Sequence, residues 1–245
     1  MLLEAHKVSK AFGSFFAVRE ADLSVDEGEI VGLIGPNGAG KSTFFNCLAG
    51  DTVPTEGKIV FAGHDMTDAS PEAHARAGIG RTFQVPATFE DMTVLENVMV
   101  GAYLRHPHHN DARDLARQTI ELTGLRTQTD LPARSLGTPG RKRLEIARVL
   151  ATAPRLMLLD ESLAGLTPTE LKEAIGLVRK IHEKGVTIVI VEHVMEVIMT
   201  LARRVLAFNQ GHVIASGKPE EVVRDEAVID AYLGRGRHTH RRRST

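Results

Sequence analysis

The amino-acid sequence predicts a mixed α/β fold in which helices surround a largely parallel sheet. Short runs rich in β-branched and apolar residues alternate with segments of helical pattern along most of the chain. Two of these runs, LMLLD and TIVIV, are almost continuously apolar, as expected of strands covered on both faces. The predicted strands are Glu29–Ile34, Lys58–Phe61, Ile79–Phe83, Arg155–Leu159, Thr187–Val191, Arg204–Phe208 and His212–Ala215.

The middle of the chain departs from this alternation because residues 87–153 have a mainly helical pattern. The segments TVLENVMVGAY, DARDLARQTIELTGL and RKRLEIARVLATA all carry helical periodicity. We therefore expect an α/β core formed by residues 1–86 and 154–234, interrupted by an inserted helical subdomain at 87–153. Residues 235–245 include five arginines and no acidic residue, which predicts a disordered basic tail.

Composition narrows the range of functions. Of the 245 residues, 42% are hydrophobic and 25% are charged, which is typical of a globular protein. The net charge of -1 does not favour a nucleic-acid partner, and none is expected. The single cysteine, Cys47, fits a reducing compartment. No apolar run has the length of a membrane-spanning helix, and the start has no signal-peptide pattern. We expect a soluble protein whose membrane association depends on partners.

The segment GPNGAGKST matches the phosphate-loop pattern G-x-x-x-x-G-K-[ST]. An apolar strand precedes it and a helical segment follows it, which is the context that this motif requires. Backbone N–H groups and a helix N-terminus then form a positive, concave anion site, with Lys41 on the β- and γ-phosphates and Ser42 as a Mg²⁺ ligand. The residues of the predicted site are Gly35, Pro36, Asn37, Gly38, Ala39, Gly40, Lys41, Ser42 and Thr43.

Carboxylates at the end of the apolar LMLLD strand suggest hydrolytic chemistry. Asp160 would hold Mg²⁺ through water, and Glu161 would orient or deprotonate the attacking water. A strand that ends in Asp-Glu is common on protein surfaces, so this inference depends on the phosphate loop upstream. His193 follows the TIVIV strand at a predicted strand-to-helix junction. It could reach a γ-phosphate or serve as a structural hydrogen-bonding residue.

The order of these motifs resembles the nucleotide-binding subunit of ABC transporters over about residues 1–234. GPNGAGKST is followed by GRTFQ, a helical insert, KRLEIARVL, LMLLDE and a histidine. The resemblance implies an ATP hydrolase that uses ATP and Mg²⁺, with a P-loop NTPase core, an ABC-type β-subdomain and an inserted helical subdomain. It implies that Gln84 contacts Mg²⁺ or water and senses the membrane partner. Glu161 and His193 match the family's catalytic glutamate and switch histidine. Phe12 resembles the aromatic that stacks on adenine, with an ordinary core phenylalanine as the alternative.

Longer segments are similar to the branched-chain amino acid importer group. They are ARAGIGRTFQVPATFEDMTVLENVMVGAY, AGLTPTE, VIVEHVMEVIM and VIDAYLG. Urea and other amide importers share parts of these sequence segments, and the lipopolysaccharide-export ATPase shares AYLG. A soluble ABC ATPase acting on DNA or ribosomes fits less well, because such chains usually carry long coiled insertions or tandem cassettes. The resemblance implies two membrane permease subunits, a periplasmic or extracellular solute-binding protein, and a peripheral location on the cytoplasmic face of the plasma (inner) membrane.

Two positions depart from the family pattern. Thr167 stands where the family usually has aspartate. The family's signature loop, Leu-Ser-Gly-Gly-Gln, is replaced here by Leu136, Gly137, Thr138, Pro139 and Gly140. The serine hydroxyl is missing, and proline has no N–H to offer a phosphate. Since family members bind ATP between two subunits, the sequence predicts a heterodimer in which a second ATPase subunit supplies an intact signature loop.

Overall fold

The computed structural model describes residues 1–233, so the predicted basic tail lies outside the described residues. The strands of the central sheet are β3 Ile30–Ile34, β6 Ile79–Arg81, β7 Leu156–Asp160, β8 Thr187–Val191, β9 Arg204–Asn209 and β10 His212–Gly217. They form a six-stranded sheet in the order β10-β9-β3-β8-β7-β6. All neighbours run parallel except β9 and β10, which are antiparallel. The predicted α/β fold with a largely parallel sheet is confirmed.

A second, antiparallel sheet packs beside the first. Its strands are β1 Leu3–Phe12, β2 Phe15–Val25, β4 Glu56–Phe61 and β5 His64–Asp65. They pair antiparallel in the order β2-β1-β4-β5. Neither β1 nor β2 is among the strands predicted from pattern. The pairing of β1 with β2 shifts register between Ala5 and Val8, and Lys7 has a φ of 46°. Such a bulge interrupts the two-residue alternation by which strands are recognised in a sequence.

Nine helices accompany the sheets within residues 1–233, together with 3₁₀ turns at Arg126–Gln128 and Ala133–Ser135. They are α1 Lys41–Ala49, α2 Pro71–Ala77, α3 Val94–Ala102, α4 His109–Leu122, α5 Thr138–Leu150, α6 Pro168–Glu183, α7 Met195–Leu201, α8 Pro219–Val222 and α9 Glu226–Leu233. None of them combines the length and the apolar character needed to cross a membrane. The three helical segments predicted for the insert correspond to α3, α4 and α5. Helix α5 begins three residues earlier than its predicted segment, because Pro139 fits a first helical turn whose N–H groups need no intrahelical partner.

Apolar side chains form three buried clusters. One lies between the central sheet, helix α1 and the antiparallel sheet, and includes the Phe44 and Phe208 rings with centroids 5.3 Å apart. A second lies on the other face of the central sheet, under α6 and α7. The third joins α3, α4 and α5 through residues such as Val98, Ile120 and Leu144. The insert helices therefore bury a cluster of their own, while the boundaries at residues 87 and 153 stay a prediction.

The parallel strands bring three chain segments to one edge of the central sheet. Leu33 of β3 pairs with Val191 of β8, and Val191 pairs with Asp160 of β7. Each strand ends within one residue of these pairs, so the segments that follow emerge side by side. This carboxyl edge is where α/β sheets bind ligands.

Thr167 begins helix α6 as its N-cap. Its hydroxyl accepts the Glu170 N–H at 3.4 Å, and the Glu170 carboxylate accepts the Thr167 N–H at 2.8 Å. These reciprocal bonds form a capping box. Aspartate and threonine are both favoured N-cap residues, so the departure from the family pattern preserves the capping of α6.

Substitution Thr167→Ala removes this cap and is expected to lower the free energy of unfolding by about 1 kcal/mol. Thr167→Ser keeps a hydroxyl at the same position and should stay within a few tenths of a kcal/mol of the parent, by analogy with the ranking of N-caps. Urea unfolding followed by circular dichroism measures both variants. Equal destabilisation by alanine and serine would contradict a capping role.

Candidate functional site

The phosphate loop lies close against two other strands. Gly35 has a φ of +147°, and a Cβ there would lie 2.3 Å from the Phe208 carbonyl oxygen in β9. Gly40 has a φ of +102°, and a Cβ there would lie 2.4 Å from the Ala17 carbonyl oxygen in β2. Both positions therefore require glycine, for backbone conformation and for space. The loop is held against the body of the protein and leads directly into the N-terminus of α1.

Lys41, the first residue of α1, folds back over this loop. Its ammonium donates to the carbonyl oxygens of Gly35 at 2.7 Å and Pro36 at 3.0 Å. The residue is only 6% exposed. Burial lowers the pKa of Lys41, and the nearby carboxylates of Glu161 and Asp160 raise it. The loop thus carries a buried cationic group whose carbonyl partners could be exchanged for phosphate oxygens.

Asp160 is a buried carboxylate at the end of β7, and an arginine accompanies it. Arg81 Nη2 lies 3.2 Å from Asp160 Oδ2, and Arg81 also donates to Asn46 at 2.9 Å and pairs with Asp51. Burial raises the pKa of Asp160, and the Arg81 charge lowers it. Sequence reasoning gave Arg81 no role. The available signal was its position within the GRTFQ segment, three residues before Gln84.

Glu161 stands at the centre of the polar side chains beside the loop. The Gln84 amide nitrogen donates to Glu161 Oε2 at 2.9 Å, and His193 Nδ1 lies 3.9 Å from the same oxygen. The Glu161 N–H donates to the Val191 carbonyl at 2.9 Å, and its φ is +45°. A positive φ is unfavourable for a side-chain-bearing residue and is often found at functional sites. The three residues expected to carry hydrolysis are therefore adjacent.

A cavity of about 830 Å³ joins these groups. All nine residues of the predicted phosphate loop line it, together with Gln84, Glu161 and His193. Phe15, Ala17 and Tyr232 also line it, and sequence reasoning assigned them no role. No sequence feature marked Ala17 as part of the site. Phe15 could have been considered because it lies three residues after Phe12, and Tyr232 because it lies in the AYLG ending.

Phe12 sits at the tip of the β1–β2 hairpin, paired with Phe15. Phe12 is 57% exposed, so the alternative of a core phenylalanine is wrong. Phe15 is 67% exposed and lines the cavity, whereas Phe12 is not among the lining residues. Adenine stacking by Phe12 stays a prediction, and the hairpin tip offers a second exposed ring for the same task.

The oxygen donors near the loop fit a magnesium ion. Within residues 1–233 no cluster of three or more His, Cys, Asp or Glu residues is arranged to hold a metal. A divalent ion would therefore depend on the Ser42 hydroxyl, the Gln84 amide oxygen, the Asp160 carboxylate and the phosphates of the nucleotide. Hard oxygen donors of this kind suit Mg²⁺, which is usually held by few protein ligands together with substrate phosphates.

Helix α5 supports the segments on both sides of the cavity. Its buried Glu145 accepts the Phe83 N–H at 2.8 Å, and burial raises the pKa of Glu145. Its Lys142 donates to the Ser162 carbonyl at 3.1 Å. Phe83 precedes Gln84, and Ser162 follows Glu161. The helix that follows the signature segment therefore contacts the neighbours of two catalytic candidates.

The signature segment itself forms the N-terminus of α5. Leu136 is buried, Gly137 is the N-cap without any side-chain hydrogen bond, and residues 138–140 lie in the first turn. Pro139 contributes no N–H to this turn. Relative to the family's Leu-Ser-Gly-Gly-Gln, Gly137 lacks the serine hydroxyl and Pro139 lacks one backbone donor, while Thr138 carries a hydroxyl one residue after the serine position.

Comparison with known proteins gives the family. The sequence model described as "ABC transporter" matches residues 18–164, which is more than half of the chain. The chain belongs to the ABC transporter family. A second model, described as "Branched-chain amino acid ATP-binding cassette transporter", matches residues 212–238. As a member of this family, the chain is an ATP-binding and ATP-hydrolysing transporter subunit, and the family resemblance predicted from the sequence is confirmed.

Relatives match over nearly their whole length. The high-affinity branched-chain amino acid transport ATP-binding protein LivG of Escherichia coli strain K12 is 37% identical, covering 95% of this chain and 98% of LivG. BraF of Pseudomonas aeruginosa, described in the same words, is 36% identical with the same coverage. A crystal structure of the ADP conformation of an ATP-binding cassette has a TM-score of 0.87 and 30% identity, covering 95% of this chain and 98% of that chain.

The ion pair between Arg81 and Asp160 predicts a pH effect in this ABC subunit. Without the arginine charge, the raised pKa of Asp160 should rise further, so the carboxylate is lost at a higher pH. Arg81→Met should therefore shift the acid limb of MgATP binding to higher pH. Arg155→Met, which removes an exposed pair with Glu27, is the matched control. Equilibrium binding across acidic pH measures the shift, and identical profiles for both variants would contradict it.

Base stacking at the hairpin tip can be separated from phosphate binding. Phe12→Ala should weaken MgATP binding by about 1–3 kcal/mol, as for other losses of a stacked aromatic. Binding of inorganic tripolyphosphate, which has no base, should be unchanged. Phe15→Ala is the comparison variant in the same titrations. A loss of MgATP affinity confined to Phe15→Ala would assign the stacking role to Phe15.

Proposed function

We propose that this ABC ATPase subunit energises the import of branched-chain (hydrophobic) amino acids. The observation that carries the proposal is the match of residues 212–238 to a model specific to branched-chain amino acid cassettes. LivG and BraF support it through similarity over nearly their whole length. A lipopolysaccharide export ATP-binding protein, LptB of Acidithiobacillus ferridurans, is 33% identical, covering 95% of this chain and 97% of LptB. Export is therefore the second candidate, followed by import of urea or another amide.

Hydrolysis is assigned to the groups around Glu161. Glu161 would act as the base that orients the attacking water, with Gln84 and His193 adjacent to the same carboxylate oxygen. Lys41 would leave the carbonyls of its own loop and bind the β- and γ-phosphates. Ser42, Asp160 and Gln84 would hold Mg²⁺, which when bound neutralises charge on these phosphates.

The functional unit is proposed to be a heterodimer of ATPase subunits. ATP in this chain's cavity would be covered by the signature loop of the second subunit. The reciprocal site would rely on the α5 N-terminus of this chain, where Pro139 and Gly137 replace hydrogen-bonding groups of the family pattern. One competent and one impaired site follow from that arrangement. A homodimer would contain two impaired sites.

A groove beside the Gln84 segment is the proposed docking place for a permease. It has a volume of about 410 Å³ and is lined by apolar groups such as Phe83, Val100 and Leu104 and by the charged Arg148. Arg148 stacks over the Phe89 ring at 4.7 Å and donates to a carbonyl of the same segment. A coupling helix of the permease that binds here, near residues 84–97, would be displaced when the insert at 87–153 moves. Two permeases and a solute-binding protein would complete a complex in which this chain is peripheral on the cytoplasmic face.

Glu161→Gln is expected to reduce ATP turnover by at least 100-fold, since the base is lost, while MgATP binding is retained. Glu196→Gln, an exposed change in the first turn of α7, is the control for loss of one negative charge. Turnover is measured after purification with the copurifying membrane subunits. Equal turnover in the two variants would contradict the role of Glu161.

The transported solute is tested with the complete complex. The tagged chain is extracted in mild detergent, its partners are identified, and the complex is reconstituted with its binding protein. ATP-dependent uptake of labelled leucine, absent in Glu161→Gln, is the expected result. Uptake of urea without leucine, or recovery of lipopolysaccharide-binding partners, would replace the proposal by one of the other two candidates. A purified complex containing two copies of this chain and no second ATPase would contradict the heterodimer.

A further inference from the structure

The C-terminal helix reaches the first residue of the phosphate loop. The Gly35 N–H donates a hydrogen bond of 2.8 Å to the hydroxyl of Tyr232, which lies 197 residues later in helix α9. Tyr232 also lines the 830 Å³ cavity. Tyr232 is 46% exposed. Its hydroxyl is protonated at neutral pH, as for any tyrosine, and partial burial raises its pKa further. The contact therefore joins the end of the described chain to the start of the nucleotide site.

A hydrogen bond to Gly35 can restrict the conformation of the phosphate loop. Its φ of +147° is open only to glycine, and its carbonyl oxygen accepts the Lys41 ammonium at 2.7 Å. One side of this residue is thus bonded to Tyr232 and the other to the phosphate-binding lysine. A flexible residue held on both sides has fewer conformations to lose when a ligand binds.

Helix α9 is anchored to the same region by apolar contacts. Val228 is 3% exposed and belongs to the buried cluster that contains Ile34, the residue just before the loop. A small apolar cavity of about 270 Å³ lies between α9, Ile34 and Met195. Met195 begins α7, two residues after His193. Helix α9 therefore contacts the segments before the loop and after the histidine.

We propose that Tyr232 is a positioning residue for the nucleotide. Its hydroxyl holds Gly35 in the conformation that receives phosphates, and helix α9 is thereby part of the ATP site. This inference rests on the proposed role of Gly35–Thr43 as the phosphate-binding loop. It adds that nucleotide affinity depends on a helix about 190 residues away in sequence, as measured from Lys41 to Tyr232.

The test is equilibrium binding of MgATP and MgADP to the full chain, which requires no hydrolysis. Tyr232→Phe removes only the hydroxyl and should raise the Kd for both nucleotides roughly three- to tenfold, as expected for one lost hydrogen bond. In the assembled transporter the same variant should raise KM for ATP with kcat nearly unchanged. Tyr103→Phe is the matched control, because the Tyr103 hydroxyl bonds His109 at 2.9 Å and Tyr103 does not line the cavity.

The tyrosines also provide a direct reporter. The chain has two tyrosines and no tryptophan, so the Tyr103→Phe variant contains Tyr232 as its single tyrosine. Its fluorescence should change on addition of MgADP or MgATP. The fluorescence of Tyr232→Phe, which contains only Tyr103, should not change. A nucleotide signal from Tyr103 alone would overturn the inference.

Two further results separate the inference from the function on which it rests. If Lys41→Ala abolishes nucleotide binding while Tyr232→Phe lowers only the melting temperature, the loop assignment stands and the positioning role of Tyr232 is overturned. If Lys41→Ala binds MgATP as the parent does, the loop assignment fails and the inference fails with it. A folded Tyr232→Phe variant with weakened binding, beside an unaffected Tyr103→Phe, supports the proposal.

Discussion

The site depends on the parallel register of three neighbouring strands. Because β3, β8 and β7 run in the same direction and end together, the phosphate loop, His193 and the Asp160-Glu161 pair emerge at one edge. Each strand is fully buried, so the sheet beneath the site is covered on both faces. A slip in the register of one strand would move its polar group away from the others. Hydrophobic burial thus determines where the charged groups meet.

Oppositely charged groups at this edge of the sheet shift one another's pKa values in directions that oppose the effect of burial. Burial alone would favour neutral Asp160 and neutral Lys41, since it raises the pKa of the acid and lowers that of the amine. Arg81 opposes the first shift, and Glu161 and Asp160 oppose the second. A site that must bind a highly charged nucleotide is therefore built from groups that partly neutralise one another before the ligand arrives.

Much of the fold follows from local pattern, and the exceptions have physical causes. The central strands carry continuous apolar runs, and GPNGAGKST needs its strand and helix on either side, so these elements are recognisable in the sequence. Strands β1 and β2 are not, because bulges at Lys7 in β1 and near Glu20 in β2 break their alternation. Arg81 and Tyr232 are missed for another reason. Their partners, Asp160 and Gly35, lie 79 and 197 residues away, and no local periodicity reports such contacts.

The phosphate loop, the carboxylates after LMLLD and the altered signature segment are recognisable without a structure, because each is a contiguous string of residues. The family resemblance follows from the order of these strings along the chain. The groups that share a surface are known only from the folded chain. Folding brought Gln84 to within hydrogen-bonding distance of Glu161, exposed Phe12 and Phe15 together at a hairpin tip, and set Tyr232 against Gly35. These proximities arise from strand register and from helix packing on the sheet, which depend on contacts between residues distant in the chain.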